Sequence, residues 1–109
     1  MTEQLSLLTA EAPVRSVKTE HNALRIGFAG RYHLWVGGPW RVESLETAAL
    51  ESIGVLIGQT LQSGGADAAG LTLVFSRHRI VVRPYDDEAG NARNHLAILY
   101  EADYPAVTW

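Results

Sequence analysis

The residues best suited to chemistry in this chain are cationic and clustered. Arg77, His78 and Arg79 stand in succession, Arg83 follows four positions later, and Arg31 and His33 occupy a similar earlier setting. An arginine presents a planar fork of N–H donors that grips a carboxylate or phosphate through two parallel bonds. Arg77, His78, Arg79 and Arg83 are therefore candidates for holding an anion or an acidic patch on a partner. The opposing reading is a solvated hairpin tip whose charge discourages edge-to-edge strand pairing. Aromatic residues form the second group, Tyr32, Trp35 and Trp40 early in the chain and Tyr85, Tyr100, Tyr104 and Trp109 later. Trp and Tyr dominate the energetics of protein interfaces. Trp35, Trp40, Tyr32, Arg77 and Arg79 accordingly make up the expected partner-binding set.

Other chemistries find little support. The four histidines, His21, His33, His78 and His95, lack the local spacing of a metal site. The run Asp86-Asp87-Glu88 does not place acids alternately as a calcium loop does, and reads as a polar turn. No glycine-rich turn leads from a strand into a helix whose amino terminus would hold a phosphate. No serine sits in a Gly-x-Ser-x-Gly elbow. A general acid–base pair would need His95 and Glu101 to meet on a sheet. The expectation is a protein that is not an enzyme and carries neither metal nor cofactor.

Composition narrows the class further. The 109 residues are 47% hydrophobic and 19% charged, which suits one compact domain with its own core. Nine basic residues against twelve acidic ones give a net charge of −3, which opposes the counterion release that drives binding to nucleic acid. There is no cysteine, so thiol nucleophiles, disulfide frameworks and thiolate metal sites are excluded. Apolar runs such as Ile53 to Ile57, itself interrupted by Gly54, fall far short of the roughly 20 residues a membrane helix needs. Residues 1 to 12, interrupted by Glu3 and Glu11, do not read as a secretory signal, which makes the cytoplasm the expected compartment.

The elements that must position these residues are strands. Leu24, Ile26 and Phe28, then Leu34 and Val36 beyond a turn at Gly30-Arg31, alternate with the period of a half-buried hairpin. The pattern returns as Leu71, Leu73 and Phe75, then Ile80 and Val82, 46 to 47 residues further on. Pro39-Trp40 is matched by Pro84-Tyr85. This predicts a mainly β fold: two similar antiparallel β units, about 14–43 and 56–85, around one core within a single domain spanning 13–109. Residues 1–12 read as a flexible arm from which Leu5, Leu7 and Leu8 dock. Ser44 caps an expected short helix from Leu45 to Ser52. Leu56 to Gln62 reads as a strand, Ser63 to Gly70 as a loop, and His95 to Glu101 and Ala106 to Trp109 as closing strands. Trp35 is out of phase with Leu34 and Val36. It is an interface anchor if its face meets water, and core if the sheets form a sandwich or a dimer.

The stretch Leu24 to Trp40, the linker Leu56-Ile57-Gly58-Gln59-Thr60, Gly70-Leu-Thr-Leu-Val-Phe and Arg79-Ile-Val-Val-Arg-Pro together resemble a family of small, functionally uncharacterised bacterial proteins common in actinobacteria. The resemblance covers about residues 14 to 85. Tyr100-Glu101 to Tyr104-Pro105 loosely matches the family's acidic-aromatic stretch. It implies the duplicated β fold and, by analogy with small partner-binding proteins, an immunity-type role. The expected function is a non-enzymatic protein–protein interaction module, an immunity-type or regulatory inhibitor whose partner is another protein, neither nucleic acid nor membrane. A homodimer is the other expected association, since duplicated β units leave edge strands. The alternative is an anion-binding or catalytic β domain with a pocket between the repeats.

Overall fold

A computed structural model describes residues 2–4, 12–83 and 96–109. Eleven strands run in chain order: β1 (Thr2–Gln4), β2 (Val14–Glu20), β3 (Ala23–Phe28), β4 (Tyr32–Val36), β5 (Trp40–Ser44), β6 (Leu50–Glu51), β7 (Leu61–Asp67), β8 (Gly70–Phe75), β9 (His78–Val82), β10 (Ala97–Glu101) and β11 (Tyr104–Thr108). They form two antiparallel sheets, one of six strands ordered β1-β7-β8-β9-β5-β6 and one of five ordered β11-β10-β4-β3-β2. Alternate residues of both sheets meet in one core. The five-stranded sheet contributes Val14, Leu24, Ile26, Leu34, Val36 and Leu99, and the other contributes Val42, Leu61, Leu71, Leu73, Phe75, Ile80 and Val82. Burying such aliphatic and aromatic side chains contributes roughly 1.5–3 kcal/mol each, so this interior is what holds the sheets together.

The duplication extends to the register. Val14 pairs with Phe28 and Ser16 with Gly27 across an irregularity in β2, and 47 residues on Leu61 pairs with Phe75 and Ser63 with Val74 across the same irregularity in β7. Leu24 faces Val36 as Leu71 faces Val82. Each three-stranded meander then borrows its fourth strand from the other repeat. After β4 the chain crosses to the six-stranded sheet, where β5 lies beside β9 with Trp40 opposite Val82. After β9 it crosses back, and β10 lies beside β4 with Ala97 opposite Val36. The strand equivalent to β5 is therefore β10. The expected counterpart of Pro39-Trp40, Pro84-Tyr85, lies outside the described residues, as do Leu5, Leu7, Leu8, the acidic turn Asp86 to Asn91 and His95.

The expected helix from Leu45 to Ser52 is instead a turn followed by β6. Ser44 does act as a cap, its Oγ accepting from the N–H groups of Glu46 at 3.2 Å and Thr47 at 3.4 Å. The turn does not propagate, because Ala48 adopts φ +57° and the chain returns to pair with β5. The helical element between the repeats is a single 3-10 turn, Ile53–Leu56, whose Leu56 is fully buried. Ser63 to Gly70 is not a loop but most of β7 and the turn into β8. Its glycines and alanines lack strand propensity, yet its backbone pairs with β8 on one side and β1 on the other, so sheet context outweighs composition.

Candidate functional site

Because Leu24, Ile26, Leu34 and Val36 point inward, the intervening residues of β3 and β4 must line the outer face of the five-stranded sheet. Pairing aligns them in rows. Lys18, Arg25, Trp35 and Ile98 lie side by side across β2, β3, β4 and β10, and Ser16, Gly27, His33 and Tyr100 form the next row. The His33 and Tyr100 rings stack with centroids 4.9 Å apart and planes 15° from parallel. Trp35 is half-buried and its ring lies back over Gly37, where a Cβ would come within 2.0 Å of Cη2. A glycine there lets the indole lie flat along the sheet. Beside it open two shallow hollows that share Arg25 and His33, one of about 330 Å³ floored by Gly27 and bounded by Ser16 and Lys18, the other of about 270 Å³ reaching Trp35, Ile98 and Tyr100. Arg25 Nε is 3.2 Å and Lys18 Nζ 3.9 Å from Glu20 carboxylate oxygens. These exposed pairs are weak and leave two cations against one carboxylate.

The partner-binding residues read from the sequence do not form one surface. Tyr32 and Trp40 pack against the core, and Trp40 Nε1–H donates to the Asn22 carbonyl at 3.1 Å. Trp35 alone of the three lies on the outer face. Arg77 sits in the β8–β9 turn and Arg79 on the outer face of the six-stranded sheet. The four residues of the anion alternative also separate: Arg77 and His78 share a hollow, Arg79 Nε donates to Glu43 Oε1 at 2.9 Å, and Arg83 lies past the far end of β9. Of the earlier equivalents, Arg31 Nη2 is 3.4 Å from Glu101 Oε2 and His33 is in the ring stack.

Two polar residues that no motif marked are nearly covered and hold several partners each. Glu43, only 7% exposed, is gripped by Arg41 Nε on its own strand and by Arg79 Nε across the sheet. The hydrogen bond from Arg41, then that from Arg79, hold its carboxyl below the ordinary 4.5, outweighing the opposing effect of burial. A group whose pKa falls on folding stabilises the native state above its unfolded value, and that contribution disappears as pH drops through the folded value. Chemical denaturation of the wild type is thus expected to show stability falling on acidification below about pH 4.5. Glu43→Gln is expected to remove part of that slope, and an unchanged slope would assign the acid sensitivity to other carboxylates. A strand alternation placing Arg41 and Glu43 on one face was the signal available for this pair.

Gln59 is the second, 3% exposed and fully engaged. Its Oε1 accepts from the Arg77 N–H at 2.7 Å, while Nε2 donates to the Val55 carbonyl at 2.7 Å and lies 2.8 Å from His78 Nδ1. Its backbone carbonyl accepts from the Val14 N–H at 2.7 Å, which joins the linker to β2. Gln59 therefore ties the two sheets at the end where the β3–β4 and β8–β9 turns both lie.

Among the described residues, no group of three or more His, Asp or Glu could hold a metal ion. Nor is any helix there long and apolar enough to cross a membrane. Compared with known proteins, the chain matches no family, no curated protein and no solved structure.

Proposed function

We propose that this chain is a non-enzymatic protein-binding module, an immunity-type or regulatory inhibitor, which takes its partner on the outer face of the five-stranded sheet. The observation that carries this reading is the seating of Trp35. A rigid indole lies flat on a sheet face, flanked by Arg25, the His33–Tyr100 stack and open hollows, rather than in the core. A large aromatic anchor beside a shallow depression, rimmed by long cationic side chains, is the composition of an interface hot spot. The complementary partner surface is acidic with a protruding apolar side chain. Carboxylates meet Lys18 and Arg25, and the apolar group enters the hollow above Gly27. The outer face of the other sheet differs at the equivalent positions, where the Glu43–Arg79 ion pair replaces the Tyr100–His33 stack. That asymmetry gives the two outer faces different surfaces.

Affinity capture with tagged protein, followed by binding of the purified partner, tests the reading. Trp35→Ala is expected to weaken binding by about thirtyfold, the loss of a 2 kcal/mol hot spot. Arg25→Glu should slow association and flatten its salt dependence, whereas Arg77→Ala should bind as wild type. Binding that survives both Trp35→Ala and Arg25→Glu in folded protein would overturn the assignment, and self-association as the sole interaction would replace it with a homo-oligomeric role.

A further inference from the structure

The internal duplication allows each repeat to serve as a control for the other. Leu45 N–H donates to the Arg77 carbonyl at 3.1 Å as Ala102 N–H donates to the Arg31 carbonyl at 2.8 Å. Ser44 stands opposite His78 as Glu101 stands opposite Tyr32. Arg77 is thus the counterpart of Arg31, and Ser44 the counterpart of Glu101. In one repeat the guanidinium is neutralised, Arg31 Nη2 lying 3.4 Å from Glu101 Oε2. In the other the carboxylate is replaced by a hydroxyl, and among the described residues Arg77 has no ion pair. What stands there instead is an open hollow of about 520 Å³, the largest of the three hollows described, lined by Ser44, Glu46, Glu51, Ser76, Arg77 and His78.

Its donors are oriented. The Arg77 N–H fixes the Gln59 amide with Oε1 toward it, so the amide NH2 faces the Val55 carbonyl and His78 Nδ1. Nδ1 must then accept, which leaves the imidazole proton on Nε2 as a second donor beside the guanidinium. Ser44 Oγ and Ser76 Oγ already accept backbone N–H bonds from Glu46 and Thr60. The hollow therefore combines a cation and an imidazole donor with the carboxylates of Glu46 and Glu51. Those acids oppose a simple anion and favour a ligand that also carries positive charge. We propose that this hollow binds a free α-amino acid, its carboxylate taking beside Arg77 and His78 the place that Glu101 takes beside Arg31, and its ammonium facing Glu46 and Glu51. This site is separate from the outer face of the five-stranded sheet and does not depend on it.

Calorimetric titration of the whole chain with each proteinogenic L-α-amino acid, alongside its N-acetyl and amide forms, tests the assignment. At least one free amino acid is expected to bind, and removing either charge should weaken binding at least about tenfold. Arg77→Ala should abolish it. Ser44→Glu should abolish it too, because it sets a carboxylate beside Arg77 as Glu101 stands beside Arg31, with some drop in thermal midpoint from loss of the Ser44 cap on Glu46 and Thr47. Absence of heat with every free amino acid, equal binding of the N-acetyl or amide forms, or retained binding in folded Ser44→Glu would each overturn the proposal. Trp35→Ala should leave this titration unchanged, so its outcome is independent of partner capture.

Discussion

Gln59→Leu is expected to lower the unfolding free energy by about 1–3 kcal/mol, although leucine is close to glutamine in volume and more apolar. Leucine keeps the volume but strands the Arg77 N–H and the Val55 carbonyl, both now bonded at 2.7 Å. A polar group left without a partner costs about 1–3 kcal/mol when fully buried, and less here because both bonds are only part-buried. His78 Nδ1 is half-buried and recovers part of its loss from water. Gln59→Glu retains an acceptor for Arg77 but turns an oxygen toward the Val55 carbonyl, so it should also destabilise. A ΔG from urea unfolding with an unchanged m value would measure the effect. A change within about 0.5 kcal/mol, typical of an exposed position, would show that water takes over the amide's bonds. For a domain whose total stability is about 5–15 kcal/mol, losing the predicted amount is a large fraction.

The second large effect is expected at Trp109. Its backbone N–H donates to the Ala97 carbonyl at 2.9 Å and its carbonyl accepts from Leu96, which fixes it beside β10. Its ring reaches across to the other sheet and lies on Gly64 of β7, where a Cβ would come within 2.7 Å of Cζ2. The indole therefore covers the seam between β11 and β7, as the buried Leu56 of the 3-10 turn fills the equivalent seam beside β2. Trp109→Ala should cost about 2–4 kcal/mol by removing that cover. Trp109→Phe should cost clearly less, because a phenyl ring keeps much of that cover, and, like alanine, it removes an Nε1 that is buried without a hydrogen-bond partner among the described residues. Thermal unfolding of the two variants checks the order. Equal losses would mean that a phenyl ring covers the seam no better than a methyl group and overturn this account.

Much of the architecture was legible because period-2 alternation is a direct imprint of a half-buried strand. Leu24, Ile26, Phe28, Leu34, Val36, Leu71, Leu73, Phe75, Ile80 and Val82 are all buried in the core. The duplicated spacing identified the two units for the same reason, since matching residues occupy matching registers. The exchange of fourth strands left no such imprint. Which sheet receives β5 depends on its pairing with a strand some forty residues later, and no local pattern encodes a partner at that distance. β7 was missed because Ser63-Gly64-Gly65-Ala66 carries the composition of a loop. Its strand state comes from neighbours on both sides, and Gly64 leaves room for the ring of Trp109. The polar sites were the least legible. Arg77 and Arg79 are two positions apart in sequence, yet one lines a hollow and the other is held by Glu43 from a strand of the other repeat. Tyr32 and Trp35 divided for the simpler reason that odd and even positions of β4 take opposite faces of its sheet, while Trp40 lies on β5 of the other sheet.

The reciprocal loan of strands also governs how the molecule comes into being. Neither repeat can complete a sheet from its own residues, because Val36 needs Ala97 and Val82 needs Trp40. A chain emerging from the ribosome displays β4 as an open edge, with Leu34 and Val36 unburied, through the synthesis of the entire second repeat. Pairings between residues so far apart in sequence place folding in the slow, millisecond-to-second range of β topologies, and exposed edges during that interval invite capture by another nascent copy. The exchange that binds the two halves into one native core thus delays closure of the first repeat's sheet until β10 has been made.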